Sequence, residues 1–167
     1  VPYDVHVVGV AEAKPSAQRF LQKNFGKWIK HLHTDNRSLT LPAGGQCVSC
    51  GSAACRFGRD LRPDLASGGF PCQPFSQARV RSGNTSKTGP TSEHDLFNMV
   101  MAQFGHYLDA RQPRAFWIEE VKGFLVPLKA LGNQAPCDVF VRDVKKKGYE
   151  CQVLTLDHKA FVKMTRG

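Results

Sequence analysis

Cys72 stands between Pro71 and Pro74 in the run Gly68-Gly69-Phe70-Pro71-Cys72-Gln73-Pro74-Phe75-Ser76. Each proline fixes its own φ, so the cysteine rides on a stiff backbone. A covalent nucleophile needs its sulfur aimed in this way, and a merely buried cysteine does not. The two glycines lack a Cβ and are expected to turn the chain tightly and admit a ligand. Two carboxylates, Glu119 and Glu120, follow the apolar segment Ala115-Phe116-Trp117-Ile118. An acid at the carboxyl end of a strand faces the ligand crevice of an open α/β sheet. Glu12 ends another apolar segment, where a carboxylate can hold the hydroxyls of a ribose. Taken alone, an acid there is more often a helix-start charge.

Six cysteines are present: Cys47, Cys50, Cys55, Cys72, Cys137 and Cys151. Without a secretory signal, reduced thiols are expected over disulfides. Cys47, Cys50 and Cys55, with His31 and His33 upstream, resemble part of a zinc site. A structural zinc wants four ligands, often as two paired motifs, and the second pair is absent. The expectation is therefore no metal, and a loop with incidental thiols.

The elements that must position these residues alternate. Val5 to Val10 is almost continuously apolar, as in a buried parallel strand. Pro15 opens a helix whose apolar positions are Ala17, Phe20, Leu21 and Phe25. Ile29 to Thr34 reads as a short strand, and residues 36–62 as an irregular insertion. Asp64 to Ser67 is the strand that delivers the cysteine loop. Residues 77–93 are polar, and Arg79, Arg81 and Lys87 there suit a cationic lid over a phosphate backbone. Asp95 to Leu108 is helical, with Leu96, Val100, Phe104 and Leu108 on one face. Asp138 to Lys147 is another helix, stopped by Gly148. Tyr149 to Leu156 alternates as a strand. Strands alternating with helices predict an α/β fold with a mostly parallel, Rossmann-like sheet and flanking helices.

The chain has 167 residues, 41% hydrophobic and 22% charged, enough for one globular domain. Its net charge is +9, which favours a polyanionic partner, although an ordinary basic surface explains the charge equally well. No apolar run reaches the length of a membrane span, and the opening residues carry no secretory signal. An intracellular protein is expected, nuclear in a eukaryote and cytoplasmic in a bacterium, with no membrane and no obligate protein partner. The chain opens on Val1 instead of methionine, so further sequence upstream is expected.

The nine residues from Gly68 to Ser76 resemble the catalytic loop of the cytosine-C5 DNA methyltransferases, which use S-adenosylmethionine. The resemblance continues in order along the chain. Glu12 to Gly26 is similar to the family block whose acid binds the cofactor's ribose. Asp64 matches the aspartate near its adenine, with Leu65 beside it, and Leu96 falls at a cofactor-pocket leucine. Ile118 to Phe124 resembles the Glu-Asn-Val block, and Val162 to Arg166 the start of the Gln-x-Arg-x-Arg block. The resemblance implies Cys72, Glu119 and Arg166 as catalytic residues. It implies that Gln73, Ser76, Arg79, Arg81 and Lys87 face nucleic acid. Double-stranded DNA is the implied substrate, with tRNA as the alternative.

Three departures stand out. Glu120 replaces the family asparagine, Met164 replaces the glutamine, and the opening Phe-x-Gly-x-Gly block is absent. The target recognition domain is also absent, so residues 1–167 are expected to form part of a catalytic domain. In the family fold the missing first strand lies between 5–10 and 64–67. The isolated chain is accordingly expected to be poorly stable and inactive. A catalytically dead paralogue serving as a binding or regulatory module is the reading from another class.

Overall fold

A computed structural model describes residues 5–56, 62–76 and 96–156. The chain divides into two units. One contains Val1–Phe70 and Asn98–Glu119, and the other Pro71–Phe97 and Glu120–Gly167.

In the first unit, β1 (Val10–Ala11) pairs in parallel with β2 (Leu32–His33), and Val7 makes a parallel bridge to Ile29. The helix between them, α1 (Pro15–Phe25), has its proline in the first turn, where no N–H is missed. The apolar segment at 5–10 thus pairs as expected but is not buried. Val5 and His6 are exposed, and residues 7–11 are half-buried. The apolar face of α1 is only partly covered, with Ala17 and Leu21 half-buried. Phe20 is 59% exposed, Phe25 and Trp28 are also exposed, and the buried residue of the helix is Gln18. The three aromatic rings pack in series instead, Phe20 edge-on to Phe25 and Phe25 tilted against Trp28, with Lys27 over Trp28.

A second parallel pair, β3 (Leu65–Gly69) with β4 (Ala115–Glu119), runs in register from Leu65↔Ala115 to Gly69↔Glu119. Gly68 and Gly69 therefore belong to the strand and not to the tight turn expected of them. Neither has a positive φ, and the ladder to β4 holds both extended. Alternation gives the pair two unlike faces. Phe116 packs at 5.5 Å against Phe104 of α2 (Phe97–Arg111), which also packs against Phe70 at 5.6 Å. The opposite face carries Leu65 and Trp117, and Trp117 is 56% exposed. The periodicity of α2 holds, because Val100, Phe104 and Leu108 are all buried. Arg111 closes the helix, buried, and donates from Nε to the Leu39 carbonyl at 2.6 Å. Burial holds its pKa below the ordinary arginine value.

In the second unit, α3 (Pro136–Lys146) buries Pro136, Cys137, Phe140 and Val144. Its end is a full Schellman motif. The Gly148 N–H bonds the Lys145 carbonyl, the Tyr149 N–H bonds that of Val144, and Gly148 takes φ 88°. The strand expected at 149–156 does not form, and these residues pair with no strand among the described residues. Val153, Leu154 and Leu156 are exposed.

The described residues are thus an α/β arrangement of two small parallel sheets and three α-helices. No described helix is long and apolar enough to cross a membrane. The contrast between covered and open apolar residues gives a direct test. Leu108→Ala is expected to destabilise by about 2–5 kcal/mol, and Phe20→Ala by less than about 0.5 kcal/mol. Denaturant unfolding of both variants checks it, and equal losses would contradict the burial pattern.

Candidate functional site

Cys72 opens a turn closed by the Phe75 N–H on its own carbonyl at 2.9 Å. Pro74 is fully buried and Phe75 is 0% exposed. The Phe75 ring sits 4.8 Å from Phe124 and 5.7 Å from Phe97, each within the second unit. Two apolar anchors thus follow the cysteine directly. They leave Cys72 half-buried and Gln73 exposed, with Ser76 half-buried at the end of the loop. The loop is stiff because of what Pro74 and Phe75 bury, in addition to the φ restriction legible in the sequence.

Glu119 is the last residue of β4, and its register partner is Gly69. A Cβ placed on Gly69 would lie 3.7 Å from Glu119 Oε2. The carboxylate therefore reaches across a position that carries no side chain. Glu120 turns its own carboxylate back, and Oε2 accepts from the Val121 N–H at 3.0 Å. This second acid is engaged in starting the 3-10 turn Lys122–Leu125 that carries Phe124.

Glu12 follows β1. Its N–H donates to the His33 carbonyl at 3.0 Å, and its carbonyl accepts from Gln18 Nε2 at 2.6 Å. Oε1 accepts from the Lys14 N–H at 2.7 Å. The backbone of Glu12 is thus fixed by β2 and by a buried glutamine from α1.

Asp64 and Leu65 lie at the other end of their strand. Leu65 begins β3, about 13 Å from Gly69 at 3.3 Å per residue, and Asp64 pairs with Arg114 at 3.2 Å, both exposed. The structure therefore does not bring them to the end where Glu119 sits. Leu96 is half-buried in the turn before α2. Arg79, Arg81, Lys87 and Arg166 lie outside the described residues.

Two residues that the sequence did not single out are placed by the fold. Asp35 lies two residues past β2, which pairs with the strand that Glu12 follows. It caps the 3-10 turn Asn36–Leu39 by accepting from the Arg37 N–H. Side-chain hydrogen bonds from Arg37 hold its carboxyl below the usual range. An acid just past a short apolar strand is the signal that could have marked it. Gln18 is the other, buried against the carbonyl of Glu12.

His31, Cys47, Cys50 and Cys55 converge, with their ligand atoms all within 4.8 Å of one another. Cys55 Sγ lies 3.3 Å and Cys47 Sγ 4.0 Å from His31 Nδ1. Burial, with Cys50 and Cys47 adding to it, pushes the Cys55 thiol up to about 12. A cleft of about 690 Å³ opens on α3, lined by Leu125, Cys137, Val141, Arg142 and Lys145 among others. None of the expected site residues lines it, and it is a gap beside a helix face, remote in sequence from the cysteine loop.

A family model described as C-5 cytosine-specific DNA methylase matches residues 3–162. The "Type II methyltransferase M.NlaX" of Neisseria lactamica is 30% identical over 119 residues, covering 71% of this chain and 34% of that protein. A "DNA-cytosine methyltransferase" of Escherichia coli K12 is 28% identical over 121 residues, covering 72% of this chain and 25% of that protein. The match thus spans about a third or less of each relative's length. The family match covers both the cysteine loop and the strand-end acid, and the chain belongs to the C-5 cytosine-specific DNA methylase family.

Proposed function

We propose that this chain forms the nucleophile-bearing part of a DNA (cytosine-5-)-methyltransferase, its parallel strands belonging to a Rossmann-like sheet. The observation that carries the reading is the register of β3 on β4. It sets Gly69 beside Glu119 at the carboxyl ends of both strands, with Phe70 and Pro71 alone between Gly69 and Cys72.

The chemistry follows from the ring. C5 of cytosine is too weak a nucleophile to accept a methyl group unaided. Cys72 Sγ, as thiolate, adds to C6 of a cytosine swung out of the duplex. Glu119 gives a proton to N3, so the electron pair displaced from the C5–C6 bond settles at C5 without building an anion on the ring nitrogen. S-adenosylmethionine, when bound, supplies an electrophilic methyl group on its sulfonium. Loss of the C5 proton to solvent, departure of Cys72 as thiolate and return of the N3 proton to Glu119 then restore the aromatic ring.

Glu12 suits the cofactor's ribose, because a carboxylate accepts from two vicinal hydroxyls and its backbone is fixed from two sides. Leu96 would pack on the apolar part of the cofactor. Gln73 and Ser76 would face the nucleic acid, joined by Arg79, Arg81 and Lys87, and Arg166 would steady the base. The net charge of +9 supports a polyanionic substrate.

Because the isolated chain is expected to be inactive, covalent trapping by the whole methyltransferase that carries this part tests the assignment. A duplex pool containing 5-fluorocytosine, with S-adenosylmethionine, is expected to leave a stable protein–DNA adduct, because fluorine blocks the loss of the C5 substituent. Cys72→Ala should form none. Adduct persisting in that variant, or trapping of RNA in place of DNA, would overturn the reading. Glu119→Gln is expected to lower the rate of labelled-methyl transfer by about 10²- to 10⁴-fold, as for other positioned proton donors. Glu12→Ala should weaken S-adenosylmethionine binding by about 10- to 100-fold, the worth of a hydrogen bond to a charged group. Calorimetric titration reads that loss, and unchanged affinity would remove Glu12 from the site.

A further inference from the structure

We propose that His31, Cys47, Cys50 and Cys55 bind a single structural zinc ion that fixes the loop after β2. Zinc holds sulfur at about 2.3 Å and nitrogen at about 2.0–2.1 Å, so a tetrahedral site has ligand–ligand edges of about 3.5–3.8 Å. The two sulfur–nitrogen separations of 3.3 and 4.0 Å bracket that range. All four ligand atoms already lie within 4.8 Å of one another, so closing on the ion needs only side-chain adjustments. The fourth ligand that the cysteine spacing lacked is a histidine at the start of β2.

The backbone brings the ligands in from separate, hydrogen-bonded pieces. Cys47 is held by the Ser52 carbonyl, and its neighbour Val48 donates to the Leu32 carbonyl. Cys55 and Gly45 exchange two hydrogen bonds, at 2.9 and 3.2 Å. Gly44 and Gly51 take φ of 75° and 68°, which side chains disfavour. At Gly44 an added Cβ would also fall on the Cys55 carbonyl.

The loop needs such a cross-link. Across residues 36–56 the buried positions are Ser38, Cys47 and Cys55. No large apolar side chain is buried there, so two prospective ligands stand where a core would. Short segments without a core fold on disulfides or metals. Three thiols cannot pair off completely, and all three are free. A closed set of three cysteines and one histidine leaves no open position, so the site is structural and not catalytic. Binding would release up to three thiol protons and leave the zinc–ligand unit with one negative charge.

Metal analysis of the purified chain is expected to find one zinc per molecule. Replacement with cobalt(II) should give the visible d–d bands and sulfur-to-metal absorption of a tetrahedral thiolate site. Cys47→Ser and His31→Asn should each weaken zinc binding by at least about 10- to 100-fold, since outer-shell partners alone contribute that much. Cys72→Ser and Cys151→Ser should leave binding unchanged. Should the ligand variants fail to fold, mercurial titration of the unaltered chain decides, with zinc leaving as three thiols react. Absence of zinc and of a tetrahedral cobalt spectrum would overturn the proposal. So would equal loss in the Cys72 or Cys151 variants, or a Cys47–Cys50 disulfide in the purified chain.

Discussion

The parallel ladder between β3 and β4 is the constraint on which the rest depends. Side chains along a strand alternate between faces, so a slip of one residue reverses every one of them. Helix α2 lies on one face, where Phe104 meets Phe116. That aromatic contact, formed well away from any chemistry, decides which face Glu119 occupies. With Phe116 turned inward, Trp117 and Glu119 differ from it in kind: Trp117 is left open and the carboxylate crosses Gly69. The position of the acid is thus a consequence of ordinary packing between a helix and a sheet.

Elements with local causes were legible in the sequence. Pro15 opens α1, the four-residue spacing of Val100, Phe104 and Leu108 marks α2, and Gly148 ends α3 through a left-handed turn. Each depends on residues close in the chain. Strands depend on partners, and there the sequence was less informative. Gly68 and Gly69 were free to turn, but freedom to turn does not require it, and pairing with Ile118 and Glu119 keeps them extended. Tyr149 to Leu156 alternates like a strand yet pairs with no strand among the described residues. Asp64 was read by its order in the chain, whereas its role depends on which end of the strand it occupies.

The amphipathic pattern of α1 marked the helix, but its apolar positions differ in cover: Ala17 and Leu21 are half-buried, Phe20 and Phe25 exposed. Periodicity reports that a face is apolar, not that something lies against it. Phe20, Phe25 and Trp28 satisfy one another partly, through ring contacts near 6 Å. The convergence of His31 on the three cysteines was hidden for a related reason. Residues 31 and 47 are sixteen apart in sequence, and only the return of the loop to β2 makes them neighbours.

In the second unit, one aromatic contact links two blocks that are far apart in the chain. Glu120 accepts from the Val121 N–H and so starts the 3-10 turn that presents Phe124. Phe124 meets Phe75 edge to face at 4.8 Å and Phe140 of α3 at 6.2 Å. Phe75 in turn closes the Cys72 turn through its N–H. An asparagine at 120 has a side-chain carbonyl able to accept the same hydrogen bond, so the exchange of asparagine for glutamate preserves the entry into this turn. The turn that begins at Cys72 is therefore anchored by apolar packing between Phe75 and Phe124.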